Sequence, residues 1–117
     1  MSDIRRLHGN GRLSKGVVHN GVVYLTGQVA EDNPGASAAV QTREVLDRID
    51  ALLAEAGSDK TRVLKAFLYV TDMALFGDIN AAWDQWVTAG HEPARSTIQA
   101  QLTVAGFDIE IMVIAAV

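Results

Sequence analysis

The chain contains no cysteine. That excludes disulfides, thiol nucleophiles and cysteine-ligated metals, and it fits a reducing compartment. No apolar run approaches the ~20 residues that cross a bilayer as a helix. The first residues, Met1-Ser2-Asp3-Ile4-Arg5-Arg6, have no apolar stretch behind their basic pair, so they do not read as a secretory leader. A soluble, cytoplasmic protein is expected. Positive charge is scarce too: 10 Lys and Arg against 14 Asp and Glu leave a net charge of -4. Such a surface argues against nucleic-acid or anionic-membrane partners. Neither GxxxxGK[ST] nor GxGxxG occurs, so no phosphate or dinucleotide cradle is indicated. The Gly-x-Ser-x-Gly nucleophile elbow is missing as well. His8, His19 and His91 lack metal-ligand spacing, and His19 flanks a turn.

What remains is 117 residues, 49% hydrophobic and 21% charged. This is the balance of one globular domain, residues 1–117, with a single core. A weak first strand over residues 3–8 ends at Gly9-Asn10-Gly11. Two β-branched runs then flank Asn20-Gly21, which predicts a hairpin across Val17 to Val29, because both turn residues accept positive φ. Gly27 falls late in its second strand, where glycine marks a bulge or a close approach. Asp32-Asn33-Pro34-Gly35 is a loop. Ser37 caps a helix to about Ala56, with Val45, Ile49, Leu52, Leu53 and Ala56 on one stripe and Gly57 at its end. Val63 to Thr71 reads as a central strand, and Leu75 to Thr88 as a second helix with Phe76, Ile79, Trp83, Trp86 and Val87 on its stripe. Two last strands, from Pro93 and from Phe107, meet at a turn near Thr103 to Gly106. The order β-β-β-α-β-α-β-β predicts an α+β fold, a mixed β-sheet with both helices packed on one face. Several strands are apolar on both faces, so the bare face is an expected homo-oligomer interface.

Two charges stand out within these apolar strands, Arg95 and Glu110. With a two-residue turn between the last strands, Arg95, Thr97, Gln99 and Glu110 share one sheet face. One reading is a structural salt bridge or a rim charge at a subunit boundary. The other is that Arg95 receives a substrate carboxylate bidentately while Glu110 holds or deprotonates a water. Trp83 and Trp86 read as core or interface aromatics, and Asn80, which could reach the sheet edge from the second helix, reads by default as a surface residue.

Val23-Tyr24-Leu25-Thr26-Gly27-Gln28-Val29, Lys65 to Met73 with Phe76, Asn80 and Trp83 behind it, Pro93-Ala94-Arg95-Ser96-Thr97-Ile98-Gln99-Ala100 and Ile109-Glu110-Ile111-Met112-Val113-Ile114-Ala115 together resemble the Rid (YjgF) family. These are the reactive-intermediate deaminases; Trp83-Asp84-Gln85-Trp86-Val87 and the short N-terminus look most like the YoaB-like branch. The resemblance implies a chorismate-mutase-like fold assembled as a homotrimer with clefts between subunits. It implies hydrolysis of 2-enamine and 2-imine acids to 2-keto acids and ammonia, with no metal or organic cofactor. Arg95 matches the arginine that binds the substrate carboxylate, and Thr97 the position whose backbone contacts the imine region. Glu110 matches the acid that orients water, Gly27 the cleft glycine, and Asn80 a polar helix position. Leu13 stands where better-understood members carry a tyrosine, and Met112 where a second acid is often found. These departures bear on rate and substrate range, and they keep a second reading open: a trimeric module that binds 2-keto acids with little or no catalysis. An endoribonuclease role, an older label in the family, is disfavoured by the net charge.

Overall fold

A computed structural model of the protein describes residues 3–117. Met1 and Ser2, the start of the stretch read as lacking a leader, lie outside the described residues.

The local signals produce the expected elements. Asn20 and Gly21 take φ of 51° and 76° and join β2 (Gly16–His19) to β3 (Val22–Leu25) as a two-residue hairpin. A short β1 (Arg5–Leu7) pairs with β2 on its outer side. Helix α1 runs Ala38–Ala56; the Ser37 hydroxyl accepts the Val40 N–H, and Gly57 closes the helix at φ 84°. The expected stripe of Val45, Ile49, Leu52, Leu53 and Ala56 is the face that α1 buries. Strand β4 covers Val63–Val70. Helix α2, Phe76–Trp86, is shorter than its periodicity suggests. Asp72 accepts the Ala74 N–H and organises a 3₁₀ turn over Met73–Leu75, while Val87 is already extended.

Strands β5 (Ala94–Gln99) and β6 (Ile109–Ala116) depart from expectation. They do not form a hairpin. The sheet order is β1-β2-β3-β6-β4-β5, with β5 parallel to β4 at the edge and every other pairing antiparallel. The physical reason lies in β6, where Ile109, Ile111, Val113 and Ala115 are fully buried. So apolar a strand gains more from an interior position than from an edge, whereas the polar β5 tolerates the edge. Residues 100–108 therefore cross the end of β4. There the Ala100 N–H bonds Val70 O at 2.9 Å and the Thr71 N–H bonds Asp108 O at 3.1 Å. The buried amide of Gln41 ties this crossing to α1: its Nε2 donates to Gly106 O at 3.1 Å and its Oε1 accepts the Asp108 N–H at 2.9 Å.

Both helices cover one face of the sheet and enclose the core with Val23, Leu25, Ala66, Leu68, Val70 and the buried half of β6. The other face carries Val17, Tyr24, Phe67, Tyr69, Ile98, Met112 and Ile114, and among the described residues no element covers it. Tyr24 and Ile98 are 48% and 53% exposed there. This is the bare apolar face the sequence anticipates. No helix among the described residues is long and apolar enough to cross a membrane.

Candidate functional site

The register places each candidate residue. Arg95 pairs with Ala66 on β4, and Ala66 with Val113 on β6, so Arg95 shares the helix-covered face with those buried residues. Glu110 pairs with Tyr69, and Tyr69 with Ile98, on the bare face. The expectation that Arg95, Thr97, Gln99 and Glu110 share one face is therefore overturned for Glu110. The inserted strand β4 sets the parity that a direct hairpin would have set differently. Two strand spacings and three residues of offset put the two Cα atoms roughly 14 Å apart. No salt bridge joins them.

Around Arg95 the chain builds an aromatic seat. Its guanidinium carbon lies 5.1 Å from the Trp83 ring centroid and 5.6 Å from that of Phe76, both on α2. Phe76, Asn80 and Trp83 are spaced i, i+4, i+7, so one stripe of α2 faces this corner. Thr97 lies two residues along on the same face of β5 and is half-buried, like Arg95. The Oδ1 of Asn80 is buried and has no hydrogen-bond partner. Among the described residues, arginine side chains donate hydrogen bonds or form ion pairs only at Arg5 and Arg48. Arg95 thus holds a charge near apolar surroundings with its donors unengaged.

On the bare face, Gly27 follows the end of β3, and the ladder resumes only at the single Gln28–Ile111 bridge. Gly27 is the anticipated close approach: a Cβ there would lie 2.7 Å from the carboxyl carbon of Glu110. The absent side chain lets the Glu110 carboxylate approach the backbone closely. Gly27 and Glu110 thus form one candidate half-site, and Arg95, Thr97, Asn80, Phe76 and Trp83 a second.

Leu13 belongs to neither. It is 47% exposed in the loop before β2, beside a shallow pocket of about 410 Å³ lined also by Arg6, Arg12, Ser14 and Val17. That loop flanks the β1–β2 edge, five strand spacings from β5. The distance is roughly 24 Å. A second pocket, of about 220 Å³, holds His8, Lys15, Gln28, Arg48 and Glu55, and a third, of about 290 Å³, lies between α1 and α2. Arg95 and Glu110 line none of the three. Among the described residues no group of three or more His, Asp or Glu side chains is placed to hold a metal ion.

Sequence reasoning missed the aromatic seat. Phe76 and Trp83 were visible as helix-stripe residues, but the same spacing serves plain core packing, and nothing in it names Arg95 as a neighbour.

Comparison with known proteins places the chain among relatives of matching length. The family model of endoribonuclease L-PSP matches residues 4–117. The RutC family protein YoaB of Escherichia coli is 41% identical over 114 residues, 97% of this chain and 98% of the relative. A RutC family protein of Haemophilus influenzae is 40% identical over 112 residues, 96% of this chain and 97% of the relative. A crystal structure of a YjgF family member from Neisseria meningitidis superposes with a TM-score of 0.94 at 42% identity, covering 97% of this chain and 94% of that one.

Proposed function

The chain belongs to the YjgF (Rid) family, also described as endoribonuclease L-PSP, and is YoaB-like; from that premise we propose that it hydrolyses reactive 2-enamine and 2-imine carboxylic acids to 2-keto acids and ammonia. The observation that carries this reading is Arg95, a half-buried cation with unengaged donors. A small carboxylate would meet its in-plane fork bidentately. Glu110, without an ion-pair partner and lying over Gly27, holds a water.

The chemistry asks little of the protein because an imine is already electrophilic. The enamine takes a proton on carbon and releases one from nitrogen to become the imine. Water attacks the imine carbon, giving up a proton to Glu110 as the C–O bond forms and the nitrogen is protonated. The carbinolamine then collapses: its nitrogen takes the proton held by Glu110, the C–N bond breaks, ammonia leaves, and the hydroxyl proton is lost as the keto group forms. The buried Asn80 Oδ1 would accept a donor from the substrate nitrogen or from Arg95.

Because the two half-sites lie on opposite faces, one chain cannot close the cleft around a small acid. The bare face supplies the remedy, with copies assembling through it as a homotrimer so that Arg95 of one copy meets Glu110 of the next. Light scattering tests the assembly. Function is tested by generating the imine in place with a serine/threonine dehydratase in the presence of semicarbazide, which traps it. Keto acid should form faster with the protein, and Arg95→Ala should lose the gain. Absence of acceleration with every imino acid tried would contradict the reading.

Leu13 favours a second reading, a 2-keto acid binding module. A leucine in that exposed pocket supplies no hydroxyl where a tyrosine is expected. It predicts that 2-keto acids raise thermal stability without turnover.

A further inference from the structure

Arg95 is held by ring faces rather than by a carboxylate. A cation over an aromatic ring is attracted by the negative face of the π-system, and that attraction engages no N–H group. The guanidinium keeps five donors in its plane. We propose that Trp83, supported by Phe76, is the positioning residue that presents Arg95 to the substrate carboxylate. It steadies the charge through its ring face and leaves the in-plane donors free. An acidic neighbour would fix the arginine equally well, but it would occupy the donors and neutralise the charge that an anionic substrate needs.

Trp83 is itself fixed. It is 5% exposed and packs against Trp86 with ring centroids 5.1 Å apart and planes tilted by 53°. The Trp86 indole N–H donates to Asp50 of α1 at 3.0 Å. The seat of Arg95 is thus braced through α1, while the arginine itself stands on β5, an edge strand. Nothing about two tryptophans three residues apart would reveal this from periodicity alone.

The proposal rests on Arg95 as carboxylate anchor, and its test separates the two. Trp83→Leu, Trp83→Phe and Phe76→Leu are compared with wild type in the dehydratase-coupled assay and in calorimetric titration with 2-oxobutanoate, with circular dichroism reporting folding. Trp83→Leu should raise KM and the 2-oxobutanoate Kd roughly ten-fold with little change in kcat, as expected for loss of a partly desolvated cation–π contact. Trp83→Phe should recover most of that loss, and Phe76→Leu should show a smaller effect of the same kind. The chain has two tryptophans, so Trp86→Phe leaves Trp83 as the sole indole. Its emission should change saturably with 2-oxobutanoate and stay unchanged when Arg95→Ala is added. That arm decides the matter if Trp83→Leu does not fold. A folded Trp83→Leu with wild-type KM and Kd, or a lone Trp83 blind to a ligand that calorimetry shows bound, would overturn the proposal while leaving the Arg95 reading in place. A wild type that neither turns over imines nor binds 2-oxobutanoate would overturn both.

Discussion

Two arginines of this chain solve the same problem in opposite ways. Arg48, on α1, is surrounded by carboxylates: Nε lies 2.7 Å from Glu44, Nη2 3.1 Å from Asp32 and Nη1 3.6 Å from Glu31. The hydrogen bond it donates to Glu44 holds its pKa above the ordinary value, outweighing the opposing effect of burial. Burial pushes Glu44 upward in turn, but hydrogen bonds from Asn33, Arg48 and the Asp32 amide bring it below the usual carboxylate range. Arg95 has no acidic partner among the described residues and rests against Trp83 and Phe76. Arg48 fastens the loop at residues 31–33 to α1, with its charge paired. Arg95 leaves its donors unengaged among the described residues. A guanidinium's partners, more than its burial, distinguish a structural cation from one open to a ligand.

That contrast can be broken in several places. The largest effect should come from the other half-site: Glu110→Gln, unable to take a proton from water, should lower kcat by 10²–10⁴-fold in the coupled imine assay. Retention of wild-type kcat would remove Glu110 from the chemistry. Gly27→Ala puts a methyl where the Glu110 carboxylate lies. The carboxylate is a movable side-chain end, so stability should change little while kcat falls by about ten-fold. An unchanged kcat would mean that the close approach only packs the sheet.

Arg48→Ala should do the reverse of a site mutation. Loss of the partly buried Glu44 contact should lower stability by about 1 kcal/mol, a fall in Tm of roughly 4 °C, with KM for the imine unaltered. A raised KM would show that the two arginines are not separable. The smallest effect is in the acid limb of stability. The folded pKa of Glu44 lies below its unfolded value, so its contribution is present above the ordinary glutamate range and is lost as pH falls through the folded pKa. Urea midpoints measured down that range should decline less steeply for Glu44→Gln than for the wild type. Parallel slopes would contradict the assignment.

The hairpin at Asn20-Gly21, the cap at Ser37, the stop at Gly57 and the stripe of α1 were legible because each is decided by residues within a few positions of it. The placement of β5 and β6 was not. A nine-residue crossing and a two-strand hairpin read alike in sequence, and the choice depends on how much apolar surface β6 buries between two neighbours. Arg95 and Glu110 were identifiable singly, as charges within apolar strands. Their faces were set by β4, which pairs Arg95 with Ala66 and Glu110 with Tyr69. The Gly27–Glu110 approach was foreshadowed by a glycine in a strand. The seat made by Phe76 and Trp83 had only a core-packing signal.

The central claim is that Arg95 of one copy and Glu110 of another make one site, and mixing two inactive variants tests it directly. Arg95→Ala and Glu110→Gln chains, each inactive alone, are unfolded together, refolded as mixed oligomers and assayed for imine hydrolysis. A site shared between copies predicts that activity returns, since some clefts in the mixture receive an intact Arg95 from one chain and an intact Glu110 from the other. Mixed oligomers that form, by mass, yet remain as inactive as their parents would contradict the account.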